Sequence, residues 1–231
     1  MLTSTRNDFW LGVIASIPFA PNALAFGAIV GVASNAVGAT IYQVLLSAFA
    51  VNAATSQLAS LEFWKGTLGF SSVMLATALL NAKHVLHSAS LWAQLRTATR
   101  SQLLLIGFAI TDSSWLCCQI AVQQGKMSPI FALSNAWSLL FIWISGCVCG
   151  FYLGGLIKPD QLEMFGISSI AVLSMAAIAP KAAKNSIHYL LPGLTASITA
   201  IVLMMSGFNE GASVLLATLA GTLLACARHD N

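Results

Sequence analysis

The sequence predicts an all-α membrane protein, a polytopic bundle of about seven or eight transmembrane helices in one transmembrane domain over residues 1–231. Of its 231 residues, 58% are hydrophobic and 7% are charged. The charges fall between long uncharged windows such as 9–61 and 127–157. About 20 apolar residues cross a bilayer as a helix, and lipid offers the backbone no hydrogen-bond partner, so only helices or closed barrels span it. Because these apolar runs are continuous rather than alternating, they favour helices.

Eight apolar windows separate the charged and turn-forming stretches, and in chain order they cover residues 9–33, 38–62, 66–83, 102–124, 128–157, 163–180, 186–206 and 211–228. The second window carries four polar side chains in its middle, at Asn52, Thr55, Ser56 and Gln57. It is therefore either a full span or a broken or re-entrant segment, which leaves seven or eight spans.

Prolines interrupt several of these windows. Pro18 and Pro21 lie in the first window, Pro180 ends the sixth and Pro192 lies in the seventh. Each removes a backbone hydrogen bond, and in carriers the freed groups often form the solute site. The alternative is a simple kink or a helix that starts at the proline. The first and sixth windows also share an apolar segment that includes a proline, which suggests an inverted repeat.

The N-terminus and the distribution of charge exclude some classes of protein. Arg6 is the one cation before the apolar run that begins at Phe9, and this run continues past Val32 without a clear cleavage site. We therefore expect a retained first helix rather than a signal peptide. The net charge of +3 and the lack of a Lys/Arg-rich tract argue against nucleic-acid binding. Lysine and arginine are spread too evenly among the loops to predict an orientation.

Small residues in the windows point to packing rather than chemistry. Glycines recur every fourth residue on two windows, which predicts closely packed helix faces, at Gly27, Gly31, Gly146, Gly150 and Gly154. All five cysteines lie inside apolar windows, which favours buried hydrophobic side chains over disulfides or metal ligation.

The densest polar cluster closes the third window at residues 81–88. On a helix, Asn81 and His84 share one face, while Lys83 and His87 share another. His84 is the natural group for handling a proton. The alternative is an interfacial helix end whose long side chains reach the headgroups. The spacing of the two histidines would also suit a metal, but no third ligand lies nearby in sequence, so we expect no metal site.

The second cluster surrounds Asp112, which has no other charged residue between Leu103 and Val122. An aspartate near the middle of a span costs about 2.5–3.5 kcal/mol to insert, so such a residue usually faces a cavity and binds or relays something. If the span instead ends near Ile110, Asp112 is an ordinary helix cap.

The third cluster lies in the second window, where the amides and hydroxyl of Asn52, Ser56 and Gln57 can coordinate a carboxylate or an ammonium group. The alternative is hydrogen bonding between helices. No nucleophile elbow, phosphate-binding loop or metalloprotease motif occurs, so we expect neither an enzyme nor a cofactor.

At these three clusters the sequence resembles the AzlC family, the large subunit of bacterial branched-chain amino acid exporters. Its members carry an Ala-Gly-Ala-Ser-Gln stretch, an Arg-His pair and a Thr-Asp-Glu, which correspond here to residues 53–57, 83–84 and 111–113. This chain departs from the family pattern with Ala54 for the glycine, Lys83 for the arginine and Ser113 for the acid. The loss of that acid removes one possible charge partner.

The resemblance implies export of leucine, isoleucine or valine across the bacterial inner membrane, together with a small membrane subunit of the AzlD type. We expect a multi-pass secondary carrier whose apolar pocket takes the solute's side chain while polar groups hold its zwitterionic end. Asp112 and His84 would be the proton-linked pair, and the third cluster would face the solute, with Asn81 and Lys83 completing the site. The alternatives are a non-transporting membrane scaffold or assembly subunit, and an intramembrane enzyme.

Overall fold

The computed structural model describes residues 2–156, apart from 65, 67 and 68, and scattered positions between 195 and 224. Backbone contacts divide the chain into two compact units, Met1–Ala182 and Ala183–Asn231. All regular structure in the described residues is helical, which confirms the all-α class. The sixth window lies outside the described residues, as do most of the seventh and eighth windows and the second half of the suggested repeat. The count of seven or eight spans and the single transporter domain stay predictions.

The helices of the first unit are α1 (Leu2–Ser16), α2 (Ala20–Ala36), α3 (Ile41–Val51), α4 (Ala54–Trp64), α5 (Phe70–Asn81), α6 (Lys83–Leu91), α7 (Arg100–Ala109), α8 (Asp112–Gln123) and α9 (Pro129–Leu153). A 3-10 turn over Ile17–Phe19 joins α1 to α2. Within the described part of the chain, two helical stretches are long and apolar enough to cross a membrane, Thr5–Ala36 and Pro129–Leu153.

Side-chain caps set where several helices begin. Thr40, Thr99 and Thr111 each accept a hydrogen bond from a backbone N–H three residues later, at the starts of α3, α7 and α8. Ser128 caps α9 in the same way, and Pro129 follows in the first turn, where its missing N–H costs nothing. These caps partner N–H groups that have no acceptor within their own helix.

Three of the predicted spans are interrupted within residues 2–156. Pro18 and Pro21 produce the 3-10 turn in the first window. Asn52, in the left-handed conformation with φ 47°, separates α3 from α4, so the second window is broken. Extended backbone at Ile110 and Thr111 separates α7 from α8. The span does end near Ile110, but Thr111 is the cap of α8 and Asp112 is its first residue.

The most extensive contact among the described helices joins α2 to α9 along the glycine faces. A Cβ atom built on Gly27 would lie 2.7 Å from the backbone oxygen of Trp143, and one built on Gly146 would lie 2.7 Å from that of Leu24. The glycines therefore let the two backbones touch, which confirms their predicted packing role. Helix α9 also packs against α1, α3, α7 and α8, which places it at the centre of this unit.

Three cysteines are packed inside the first unit. Cys117, Cys118 and Cys147 are free and buried, as the sequence predicts. Cys149 is exposed, so the prediction of a buried thiol is wrong there: residue 149 follows Cys147 by two positions and lies on the opposite side of α9. Cys226 lies outside the described residues.

Replacing Gly27 with alanine is expected to lower the free energy of unfolding by about 1–3 kcal/mol, because the new methyl group meets backbone atoms that cannot move aside. Gly107→Ala is the matched control, since a Cβ there meets no atom within 4 Å. Thermal unfolding of the two detergent-solubilised variants measures the difference. Equal Tm values would contradict the close contact.

Candidate functional site

A cavity of about 200 Å³ lies where the α3–α4 and α7–α8 breaks meet α2 and the start of α6. Its titratable side chains are Lys83, His84 and Asp112. Its neutral polar residues come from α2, from both sides of the α3–α4 break and from the start of α8, and they are Asn22, Asn52, Thr55, Thr111 and Ser113. Larger apolar side chains from α2 and α9 complete the wall, namely Phe26, Leu139 and Trp143.

Helix starts supply much of the polar wall. Asn22, Thr55 and Asp112 all lie in the first turn of a helix, in α2, α4 and α8 respectively. The first N–H groups of a helix have no acceptor within it and carry a partial positive charge. The starts of α4 and α8 therefore favour the carboxylate of a solute, whereas in α2 the Ala20 N–H already donates to the backbone oxygen of Ile17 and Pro21 has no N–H.

Lys83 and Asp112 form an ion pair at the cavity. The Lys83 Nζ lies 2.6 Å from the Asp112 Oδ2, and the two side chains are 41% and 52% exposed. On the other side of the carboxylate, the His87 Nε2 lies 3.7 Å from the Asp112 Oδ1, and the His87 ring stacks on Trp115. An ion pair this exposed contributes about 1 kcal/mol or less, so its partners can separate at small cost.

His84 is bound to the α7–α8 break and makes no direct contact with Asp112. Its Nδ1 lies 2.9 Å from the backbone oxygen of Ile110. Since a carbonyl oxygen only accepts, Nδ1 carries the hydrogen and donates it. The ring thus partners a carbonyl group that the end of α7 leaves without a helical donor, and its Nε2 remains for a proton or a solute.

Two asparagines connect the helix breaks to one another. The Asn22 Nδ2 donates to the Ser113 Oγ at 2.9 Å, which joins α2 to α8. The Asn52 Nδ2 donates to the backbone oxygen of Ala109 at 3.4 Å, which joins the α3–α4 break to the end of α7. Three broken spans are therefore held together around the cavity by side-chain amides.

Two buried polar atoms on cavity-lining residues have no hydrogen-bond partner in the described part of the chain. They are the Oδ1 of Asn22, an acceptor, and the Nε1 of Trp143, a donor. A buried polar group without a hydrogen-bond partner costs about 1–3 kcal/mol, so each of these two atoms would be stabilised by a partner at the edge of this cavity. Sequence reasoning missed both residues. Asn22 next to Pro21 in an apolar window was a usable signal, whereas Trp143 gave none.

The remaining predicted site residues lie elsewhere. The Ser56 Oγ donates to the Asn81 Oδ1 at 3.1 Å, which joins α4 to α5. The Gln57 Nε2 donates to the Ser47 Oγ at 3.0 Å, beside a separate pocket of about 10 Å³. Thus Asn52 lines the cavity with the three titratable residues, whereas Ser56, Gln57 and Asn81 hydrogen-bond between helices.

A helical chain with apolar windows and a polar cavity at helix breaks has the features of a membrane carrier. The sequence profile of the family described as AzlC protein matches residues 18–157, and the chain belongs to this family. It is a family of transporters, associated with the membrane and with branched-chain amino acid transport. No curated protein and no solved structure matches the chain.

The matched region contains the three clusters at residues 53–57, 83–84 and 111–113, and all three contribute to the cavity. Within the described residues, no group of three histidine, cysteine, aspartate or glutamate side chains is placed to hold a metal ion.

Asn52→Ala is expected to destabilise the protein by about 1–2 kcal/mol, because a residue with a Cβ and no local hydrogen bond is disfavoured in the left-handed conformation. Asn52→Gly, which adopts this conformation freely, should lose less. Thermal unfolding in detergent measures which of the two variants is more stable. An alanine variant as stable as the glycine variant would contradict the strained break.

Proposed function

We propose that this chain is a secondary transporter that exports branched-chain or similar small apolar amino acids across the bacterial inner membrane, together with a small membrane subunit of the AzlD type. One observation carries the proposal: three broken spans contribute side chains to one cavity that holds both signs of charge beside an apolar wall. Carriers commonly place the solute at such discontinuous helices. The predicted multi-pass bundle of seven or eight spans would form around this site.

The size and walls of the cavity favour a small amino acid. Pockets for drug-sized ligands measure about 300–1,000 Å³, whereas this cavity measures about 200 Å³. The helix starts of α4 and α8 and the ion pair suit the polar end of the solute. Phe26 and Leu139 offer apolar contact to its side chain.

The driving force must come from an ion gradient or a partner, because the sequence has no nucleotide-binding motif. Asp112 and His84 are proposed as the proton-linked groups. His84 lies beside the α7–α8 break, because its Nδ1 donates a hydrogen bond to the backbone oxygen of Ile110 there. His87 is an additional titratable neighbour of the carboxylate.

Cells preloaded with labelled leucine, valine or methionine test the transport proposal directly. Efflux should rise when the chain is expressed with a small candidate subunit, and Asp112→Asn should reduce it. Unchanged efflux with the chain alone, with the subunit and with the variant would refute export. It would instead favour a non-transporting scaffold, for which polar residues within the spans are dispensable.

A cavity-filling substitution separates transport from a scaffold role. Ala54→Leu places a larger side chain in the cavity wall at the start of α4, so it is expected to remove most of the efflux. The control is Ala93→Leu, the same change at an exposed position away from the cavity, which should leave efflux unchanged. Membrane abundance of each variant is measured by immunoblot. Equal efflux from the two variants at equal abundance would contradict a solute path through this cavity.

A further inference from the structure

The Lys83–Asp112 ion pair has a feature that a purely structural salt bridge does not need, since both partners line the cavity and remain about half exposed. A lysine ammonium and an aspartate carboxylate lie 2.6 Å apart there. Neither charge is enclosed by the protein, and the contact is weak enough to exchange partners. The pair therefore presents one positive and one negative group, side by side, to a solute that enters the cavity.

An α-amino acid carries the matching pair of charges on one carbon atom. Its carboxylate can take the place of Asp112 beside Lys83, and its ammonium group can take the place of Lys83 beside Asp112. We propose that the Lys83–Asp112 pair is the element of the cavity that recognises a zwitterion, opening to bind both charged ends of the solute and closing again when the solute leaves. The inference rests on the proposed amino-acid transport.

Charge balance gives this arrangement its selectivity. The empty site pairs Lys83 with Asp112, and the loaded site pairs each with one end of the solute, so the sum of these charges is zero in both states. A solute with a single charge would partner one member of the pair and leave the other unpaired, so it would make one charge-assisted contact fewer than a zwitterion does. The site should therefore reject acids that lack the amine and amines that lack the acid.

The neighbours of the pair support this one-to-one balance. Ser113 stands where the family pattern has an acid, and its hydroxyl accepts a hydrogen bond from Asn22. It thus adds no second negative charge beside Asp112. Among the described residues, the titratable neighbours of the pair are His84 and His87, and an assay at about pH 8 lies well above the ordinary histidine pKa of about 6.5.

Ligand-induced thermal stabilisation of the purified full chain measures the selectivity without requiring transport. The probes are leucine, 2-hydroxy-4-methylpentanoate, which lacks the ammonium group, and isopentylamine, which lacks the carboxylate. The unsubstituted chain should bind leucine at least about tenfold more tightly than either analogue, the scale expected for hydrogen bonds to charged groups.

The single variants should shift this preference in opposite directions. Asp112→Asn leaves Lys83 unpaired, so the hydroxy acid should gain at least about tenfold relative to leucine. Lys83→Gln leaves Asp112 unpaired, so the amine should gain by a similar factor. Lys83→Arg keeps the charge and should keep the preference for leucine. Lys126→Gln is the matched control, because Lys126 does not line this cavity.

A double variant keeps the test decisive if a single variant does not fold. Lys83→Gln with Asp112→Asn leaves no isolated charge and should bind the three compounds without a preference for leucine. The same factor of weakening for all three compounds in the single variants, or a retained leucine preference in the double variant, would overturn the inference while leaving transport intact. If the unsubstituted chain does not bind leucine, the proposed function fails, and the inference fails with it.

Discussion

A membrane interior supplies no water to the backbone, so each interrupted helix must find partners for its free groups within the protein. Two carbonyl groups near the end of α7 are partnered by side chains from elsewhere in the fold. Asn52 donates to the carbonyl group of Ala109, and His84 donates to that of Ile110. The cavity exists because the breaks lie side by side, and the breaks persist because polar side chains around the cavity partner them.

The sequence identified the class of protein and the neighbourhood of the site, because both depend on local features. Long apolar windows predict membrane helices, and the polar clusters at Asn52, Lys83 and Asp112 all reach the cavity. The break before Asp112 was left open, since the apolar pattern continues through residues 102–110 without a proline or glycine at the interruption. The capping pair Thr111 and Ser114 was the local signal for it.

Other parts of the site depend on tertiary packing that no local pattern reports. Asn22 and Trp143 line the cavity together because glycines bring α2 against α9. Ser56 and Gln57 fall on other faces, because helix α4 begins after Asn52 and turns about 100° per residue. A polar run that looks continuous in sequence is thereby divided between a cavity and two helix contacts.

The contact between α2 and α9 has a mechanical consequence for the cavity. Because the two backbones touch at Gly27 and Gly146, neither helix can slide or tilt against the other without a clash. The two helices therefore form a rigid pair that carries Phe26 and Trp143 in the cavity wall. We expect the part of the wall that contains Lys83 and Asp112, which lie on the shorter helices α6 and α8, to supply any movement that admits or releases a solute.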